Sequence, residues 1–392
     1  MITLIALSRL TAMKANQTTK KKGTTMNPLI QFKNIRVLLP LIASALVAGA
    51  FTLAAAAPQP QYTVIDLGEG VGNVISDSGQ IVGTAPFQGD AAFWPSPQSP
   101  AIDLGTLPGF TQSRGFGINP RGQIVGAAFP SSSARPLFWA NSQSAPMELP
   151  SQPPEGPQGW ACAINPRGQI VGLLAGELDG FGHPVFWANS NATPIYLTQL
   201  GGQFPNGQAF SINAAGKIFG DGCDANFVEC HAAFWASSAS APVALASPGG
   251  EFIYTDVGGF SSNFSLAPGL NDAGSMVGLA YNEDYSETRA VFWASSTSPA
   301  VILSTTGEFP NGTATAISDN GLAVGTAYNS DFSDSHAFIW TSSNSPGVDL
   351  NTVIPADSGW ELTIARSVNN RGEITGGGIF NGAMHAYVLI PR

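Results

Sequence analysis

A nine-residue core of the form [ILV]-[NS]-x-x-G-x-x-[VFTI]-G occurs seven times between residues 75 and 376. It reads ISDSGQIVG at 75–83, INPRGQIVG at 118–126 and again at 164–172, and INAAGKIFG at 212–220. The remaining copies are LNDAGSMVG at 270–278, ISDNGLAVG at 317–325 and VNNRGEITG at 368–376. Successive copies start 43 to 58 residues apart. Self-similarity at such a period marks an array of one supersecondary unit, stacked so that neighbours bury each other's apolar faces. The unit therefore decides the fold.

Each core reads as a hairpin. Asn or Ser followed three residues later by Gly is turn chemistry: the polar side chain caps the turn and Gly takes the positive φ. The apolar residues on either side form strands a and b. Downstream comes an aromatic stretch, Phe93-Trp94, Phe138-Trp139, Phe186-Trp187, Phe234-Trp235, Phe292-Trp293, Phe338-Ile339-Trp340 and Tyr387-Val388-Leu389, which marks strand c. A third apolar piece, such as Ile102-Asp103-Leu104 or Val348-Asp349-Leu350, follows six of the seven and marks strand d. Apolar runs this short cannot be helices, and four strands per repeat is the signature of a propeller blade.

The seventh unit lacks a strand d, whereas Tyr62-Thr63-Val64-Ile65-Asp66-Leu67-Gly68, ahead of the first core, matches the strand d of unit one. Pairing that segment with strand c of unit seven closes a ring and removes two open sheet edges. The expectation is an all-β, seven-bladed β-propeller of four-stranded antiparallel blades, spanning 62–392 and closed by the N-terminal strand. A linear solenoid would need capping repeats and leaves the divided unit unexplained.

Composition agrees and adds a compartment. With 45 Gly, 29 Pro and 11% charged residues, the chain suits short strands and turns better than surface helices. Residues 1–57 hold seven Lys or Arg and no acid; the rest holds nine basic and all 26 acidic residues, a net of −17. A body this acidic excludes nucleic acid as a partner, because phosphate binding needs a basic surface. It should stay soluble and monomeric. Residues 37–57 form an apolar run preceded by Lys33 and Arg36 and ending in Ala54 to Ala57. That order is a secretory signal peptide over 1–57, with 58–61 as a linker; Met26 would give a more ordinary start. Only an uncleaved signal would put the protein in a membrane.

The three cysteines fit an oxidising compartment without dependence on disulfides. Cys223 and Cys230 flank a six-residue loop and can form a local disulfide, with two free thiols as the alternative. Cys162 reads as a small buried hydrophobe. No pair of Cys or His at ligand spacing points to zinc, and no cofactor is implied.

With the cores and strand c in hand, the chain resembles the HAF-repeat family of bacterial extracellular proteins. The residues that carry the likeness are His231-Ala-Ala-Phe234-Trp235, His336-Ala-Phe-Ile-Trp340 and His385-Ala-Tyr387, each downstream of a core. It covers 62–392. The resemblance implies export and repetition, not an activity.

The four histidines, His183, His231, His336 and His385, all fall in the same slot of strand c, filled elsewhere by Asp90, Arg135 and Arg289. They read as repeat positions tying loop to strand rather than as metal ligands or catalysts. Asp77, Asp272 and Asp319 belong to the turns; a sialidase-type Asp box at 76–79 lacks its following aromatic. The loops with Glu283-Asp284 and with Asp331 and Asp334 are acidic but without the ligand spacing of a Ca²⁺ loop. Trp160 and Trp360 stand outside the Phe-Trp pattern, before cores three and seven. As exposed indoles they would stack on a sugar or a protein partner; as residues of strand a they would pack inside. Two functions follow. One is a non-enzymatic binding or scaffolding module that meets a glycan or protein with its loop face. The other is an extracellular polysaccharide hydrolase or lyase with carboxylates at the central channel. N-terminal sequencing of the exported protein should place its first residue just after Ala57; a mature chain that begins before Val37 would remove the signal reading.

Overall fold

The computed structural model describes residues 61–85, 90–129, 134–151, 155–176, 182–257 and 269–392. The signal segment expected over 1–57, and the linker up to residue 60, lie outside them. Twenty-eight strands make seven four-stranded antiparallel sheets, each a blade. Blade one runs β2 (Val71–Ile75), β3 (Ile81–Thr84), β4 (Ala91–Trp94), β5 (Ile102–Asp103). Blades two to six repeat this order in chain sequence as β6–β9, β10–β13, β14–β17, β18–β21 and β22–β25; among these are β10 (Glu155–Ile164), β15 (Ile218–Cys223), β16 (Cys230–Trp235) and β25 (Val348–Asp349). Blade seven is β26 (Trp360–Val368), β27 (Ile374–Phe380) and β28 (Ala383–Pro391), with β1 (Tyr62–Glu69) on its outer edge. β1 runs antiparallel to β28, from Tyr62 opposite Pro391 to Glu69 opposite His385. The ring closes on the N-terminal strand.

Both glycines of the core have a geometric cause. The first, at the a–b turn, has φ between +73° (Gly122) and +94° (Gly274) in all seven blades, a conformation open chiefly to Gly. The second, on strand b, lies against strand a. A Cβ on it would sit about 2 Å from a strand a carbonyl oxygen, 1.9 Å from that of Arg114 at Gly126 and 2.0 Å from that of Gln208 at Gly220. Strand a bulges beside this glycine, as at Ala209–Ser211, so the two backbones approach too closely for a side chain.

The polar residue of the core works outside its own blade. Asn165 Oδ1 accepts the Arg167 and Gln169 N–H groups, both at 3.0 Å, and its Nδ2 donates to the Asn213 carbonyl of the next blade at 3.0 Å. Asn119, Asn213, Asn271 and Asn369 reach the following turn in the same way. Ser76 and Ser318 keep only the local bonds, to the Gln80 and Leu322 N–H groups, because the serine side chain is too short to cross. In those two blades Asn73 Nδ2 and Thr315 Oγ1 bond to the next strand a instead, at Gly115 O and Ala365 O.

Strand c supplies the rest of the adhesion between blades. Its tryptophans, Trp94, Trp139, Trp187, Trp235, Trp293 and Trp340, are all fully buried. Each indole N–H donates to a carbonyl at the end of strand d of the preceding blade: Leu67, Leu104, Pro150, Thr198, Ala246 and Ser304, at 2.7 to 3.1 Å. Trp94 makes that bond to β1, across the closure. Blade seven has Leu389 in the slot, and its seam with blade six is held by Asn351, on a 3₁₀ turn over Leu350–Thr352. Its side chain pairs with both the N–H (2.7 Å) and the carbonyl (3.0 Å) of Leu362.

Asn165→Ala should lower stability by about 2–3 kcal/mol, since buried backbone groups lose their partners. Asn165→Ser, which keeps the local cap, should cost only about 1 kcal/mol. Urea melts of the three proteins check this; equal losses for Ala and Ser would mean that the reach between blades contributes nothing.

Candidate binding face

The two ends of the ring differ. At one end lie the a–b turns and the c–d turns, the latter repeating a Ser pair with Oγ···Oγ of 2.8 Å at Ser96–Ser99, Ser237–Ser240, Ser295–Ser298 and Ser342–Ser345. Repetition there serves the fold. The other end carries the b–c and d–a loops, where blades differ in sequence and length.

Three consecutive b–c loops at that end share one construction. Residues 224–229 (DANFVE), 282–287 (NEDYSE) and 329–334 (NSDFSD) each open on Asp or Asn and carry an aromatic at the fourth position. The aromatic is left-handed in every case: Phe227 at φ 56°, Tyr285 at 58° and Phe332 at 58°. The opening side chain holds the turn. Asp224 Oδ1 accepts the Val228 N–H at 2.6 Å, Asn282 Oδ1 that of Glu287 at 3.1 Å, and Asn329 Oδ1 that of Ser333 at 3.0 Å. Bulky aromatics are rare in this region of φ/ψ, and such residues concentrate where a surface is shaped for contact. Phe332 is 38% exposed and Val228, beside Phe227, 42%.

Further rings gather behind these tips. Tyr285 stacks on Tyr281 (5.0 Å between centroids), Tyr281 lies 5.4 Å from Tyr254, and Tyr254 is followed by His231 at 6.1 Å and Phe204 at 5.0 Å beyond. The Tyr285 hydroxyl donates to the Val228 carbonyl, joining the loops of blades four and five. Cys223 and Cys230 are disulfide-bonded across the β15–β16 hairpin, and the Cys230 N–H donates to the Tyr281 hydroxyl at 3.1 Å. Leu200, Gln203, Phe204, His231 and Ala244 line a shallow, open recess beside these rings. Glu229 stands at its side, accepting from Gln203 Nε2 at 2.5 Å and from the Tyr254 hydroxyl at 3.1 Å. Burial, then the bond to Glu229, raises the Tyr254 phenol; burial lowers the His231 imidazole against the pull of Glu229 and Asp256. Tyr328 and Phe332 pair on blade six at 5.7 Å.

The two singled-out tryptophans are separated by this arrangement. Trp360 opens β26 at the loop end, half-buried, and stacks on Phe380 at 4.8 Å and 14°. Trp160 lies on β10, is 3% exposed, and shares a buried cluster with Phe116, Cys162 and Phe210. At that burial, no face of this indole is left for a ligand. Cys162 is buried beside it as a free thiol, and burial raises its pKa.

In three blades the histidine slot of strand c ties that strand to strand d; elsewhere His183 meets Gln199, and His231 packs edge-on to Phe204 and Tyr254. His336 Nδ1 lies 2.6 Å from Asp349 Oδ2, His385 Nδ1 lies 2.8 Å from Asp66 Oδ1, and Arg135 pairs with Glu148 at 3.2 Å. The acidic loops spend carboxylate oxygens on themselves. Asp284 Oδ1 takes the Ser286 hydroxyl at 2.6 Å and Asp331 Oδ1 that of Ser333 at 2.7 Å; the latter bond holds the Asp331 carboxyl below its usual range. Sequence reading missed the aromatic loop tips, although the spacing [DN]-x-[ND]-[FY]-x-[DE] in three successive blades was there to be found.

No family model matches the chain, and no curated protein matches it. Among solved structures it is similar to an oligogalacturonate lyase from Vibrio parahaemolyticus, at 8% identity over 83% of this chain and 91% of that one, with a TM-score of 0.54. It is similar also to YCF48 from Cyanidioschyzon merolae, at 10% identity over 84% and 98%, TM-score 0.50. YCF48 bound to D1 peptide gives 8% over 85% and 97%, TM-score 0.50. At such identities these likenesses show the fold alone. Among the described residues no helix is long and apolar enough to cross a membrane.

Trp160→Ala should cost about 3–5 kcal/mol, as large-to-small changes in packed cores do. Trp360→Ala, at the rim, should cost less than half of that. Thermal melts that rank the two in reverse order would overturn the placement.

Proposed function

We propose that this protein is a non-enzymatic binding module that works outside the cytoplasm and meets a glycan or a protein with the loop face of blades four to seven. The observation that carries the reading is the set of three b–c loops that hold Phe227, Tyr285 and Phe332 in the same left-handed conformation. Aromatic rings offer a sugar or a partner side chain a large contact area at little entropic cost, and a backbone that fixes them beforehand lowers the cost of binding further. Trp360 and Phe380 extend the same face onto blade seven.

Placement outside the cytoplasm is supported by the apolar segment at 37–57 with its basic lead, by the disulfide, and by the likeness to HAF-repeat proteins. The fold leaves both binding and catalysis open, since similar folds include a peptide-bound protein and a lyase. The polysaccharide hydrolase or lyase reading draws less support from this chain. Asp221 on strand b of blade four and Asp256 on strand a of blade five are 1% and 2% exposed, so neither carboxylate is open to a substrate.

The test is a variant carrying Tyr285→Ala, Phe332→Ala and Trp360→Ala, compared with the parent for sedimentation with insoluble polysaccharides and for capture of extracellular proteins. Binding should fall by at least tenfold, about 1.4 kcal/mol, while the melting temperature moves by a few degrees at most. Unchanged binding in the triple variant would defeat the proposal, as would a parent protein that retains neither class of partner.

A further inference from the structure

We propose that His336, Asp334 and Glu361 form a divalent transition-metal site, for an ion of the Zn²⁺ or Mn²⁺ kind, at the seam between blades six and seven. One ligand atom from each lies within 4.8 Å of the others. Ligand atoms bound at 2.0–2.2 Å in a tetrahedral site stand about 3.3–3.6 Å apart, so the three surface side chains would close in by about 1 Å on an ion.

The placement comes from strand geometry. Asp334 ends the third aromatic loop, one residue before β24 (Ser335–Trp340), and His336 is the second residue of that strand. Glu361 is the second residue of β26, on the neighbouring blade. No pattern in the sequence joins residues 334 and 361; the packing of β24 against β26 does.

Two further observations separate this group from an ordinary acidic patch. The His336 imidazole is held from behind: its Nδ1 is bonded to Asp349 on β25, outside the ligand set, and its ring packs on Phe309 with centroids 4.2 Å apart. A carboxylate on one ring nitrogen fixes the tautomer that offers the other nitrogen to a metal, and raises its basicity. In addition, two carboxylates converge there without a basic partner. Neither Asp334 nor Glu361 pairs with a Lys or Arg among the described residues, and the Glu361 carboxylate has no hydrogen-bond donor among them. The repeat supplies its own control. His385 has the same tie, to Asp66, but its surroundings are the rings of Trp360 (6.1 Å) and Phe380 (5.5 Å).

One imidazole nitrogen and two carboxylate oxygens suit Zn²⁺ or Mn²⁺ better than Ca²⁺, which takes six to eight oxygens. Three protein ligands leave positions open to water or to an oxygen of a bound molecule. The site stands independently of glycan or protein binding.

The experiment is isothermal titration of the chelator-treated full chain with ZnCl₂ and with MnCl₂, with melting curves on every variant. One ion per chain should bind saturably. Glu361→Gln and Asp334→Asn should each weaken it at least tenfold, and His336→Gln should abolish it. Asp349→Asn, at a positioning residue, should weaken it by about 10–100-fold. Asp66→Asn, which breaks the equivalent tie on blade seven, should leave affinity unchanged, so a loss due only to disturbing a c–d tie would appear in both. Absence of saturable binding of either ion at millimolar concentration overturns the proposal. So does binding that persists in Glu361→Gln and His336→Gln proteins that melt like the parent.

Discussion

The ring depends on one contact repeated from blade to blade: the strand c tryptophan, buried against the preceding blade with its indole N–H on a carbonyl at the end of that blade's strand d. A buried indole N–H without an acceptor would cost more than the bond returns, so each tryptophan demands a neighbour at one fixed offset. The demand passes round the ring and ends at Trp94, whose acceptor, Leu67 O, lies on the N-terminal strand. β1 is thus held twice, by its ladder with β28 and by the next blade. Where the tryptophan is missing, at Leu389, the seam is taken over by Asn351 and its 3₁₀ turn.

The same regularity frees the opposite end of the molecule. Most of the adhesion sits in the a–b turns, in strand c and just past the strand d termini, which leaves the b–c loops and the rest of the d–a loops largely released from it. They can vary without opening the ring. In blades four to six they instead repeat a second pattern, which holds an aromatic in a strained conformation. The disulfide between Cys223 and Cys230 closes the blade four hairpin, and the bonds from Tyr285 to the Val228 carbonyl and from the Cys230 N–H to Tyr281 tie it to blade five.

Much of this was legible from residue order. The Asn or Ser and the first Gly of each core name their own turn, and the aromatic stretches name strand c. The divided seventh unit told where the chain closes. The candidate site was legible only in part. Trp160 and Trp360 look alike in sequence, each a tryptophan ahead of a core, yet one lies deep on the inner strand and the other stands at the rim. Burial depends on the distance along strand a from the loop end: Trp160 falls four residues before Ile164, whereas Trp360 falls eight before Val368. The bulges in strand a obscure that distance. Phe227, Tyr285 and Phe332 passed as parts of polar loops because their backbone conformation leaves no mark in composition.

The sequence by itself determined the blade, the number of blades and the closure, because turn chemistry, strand length and repeat period act over a few residues and are written in order along the chain. Only the tertiary structure decided what the loop face contains. Which rings stack, that Asp349 stands behind His336, and that Glu361 reaches Asp334 from the next blade all depend on residues up to 27 apart being brought together by packing. Local physics fixes the unit; the curvature of the closed ring fixes which units' side chains meet.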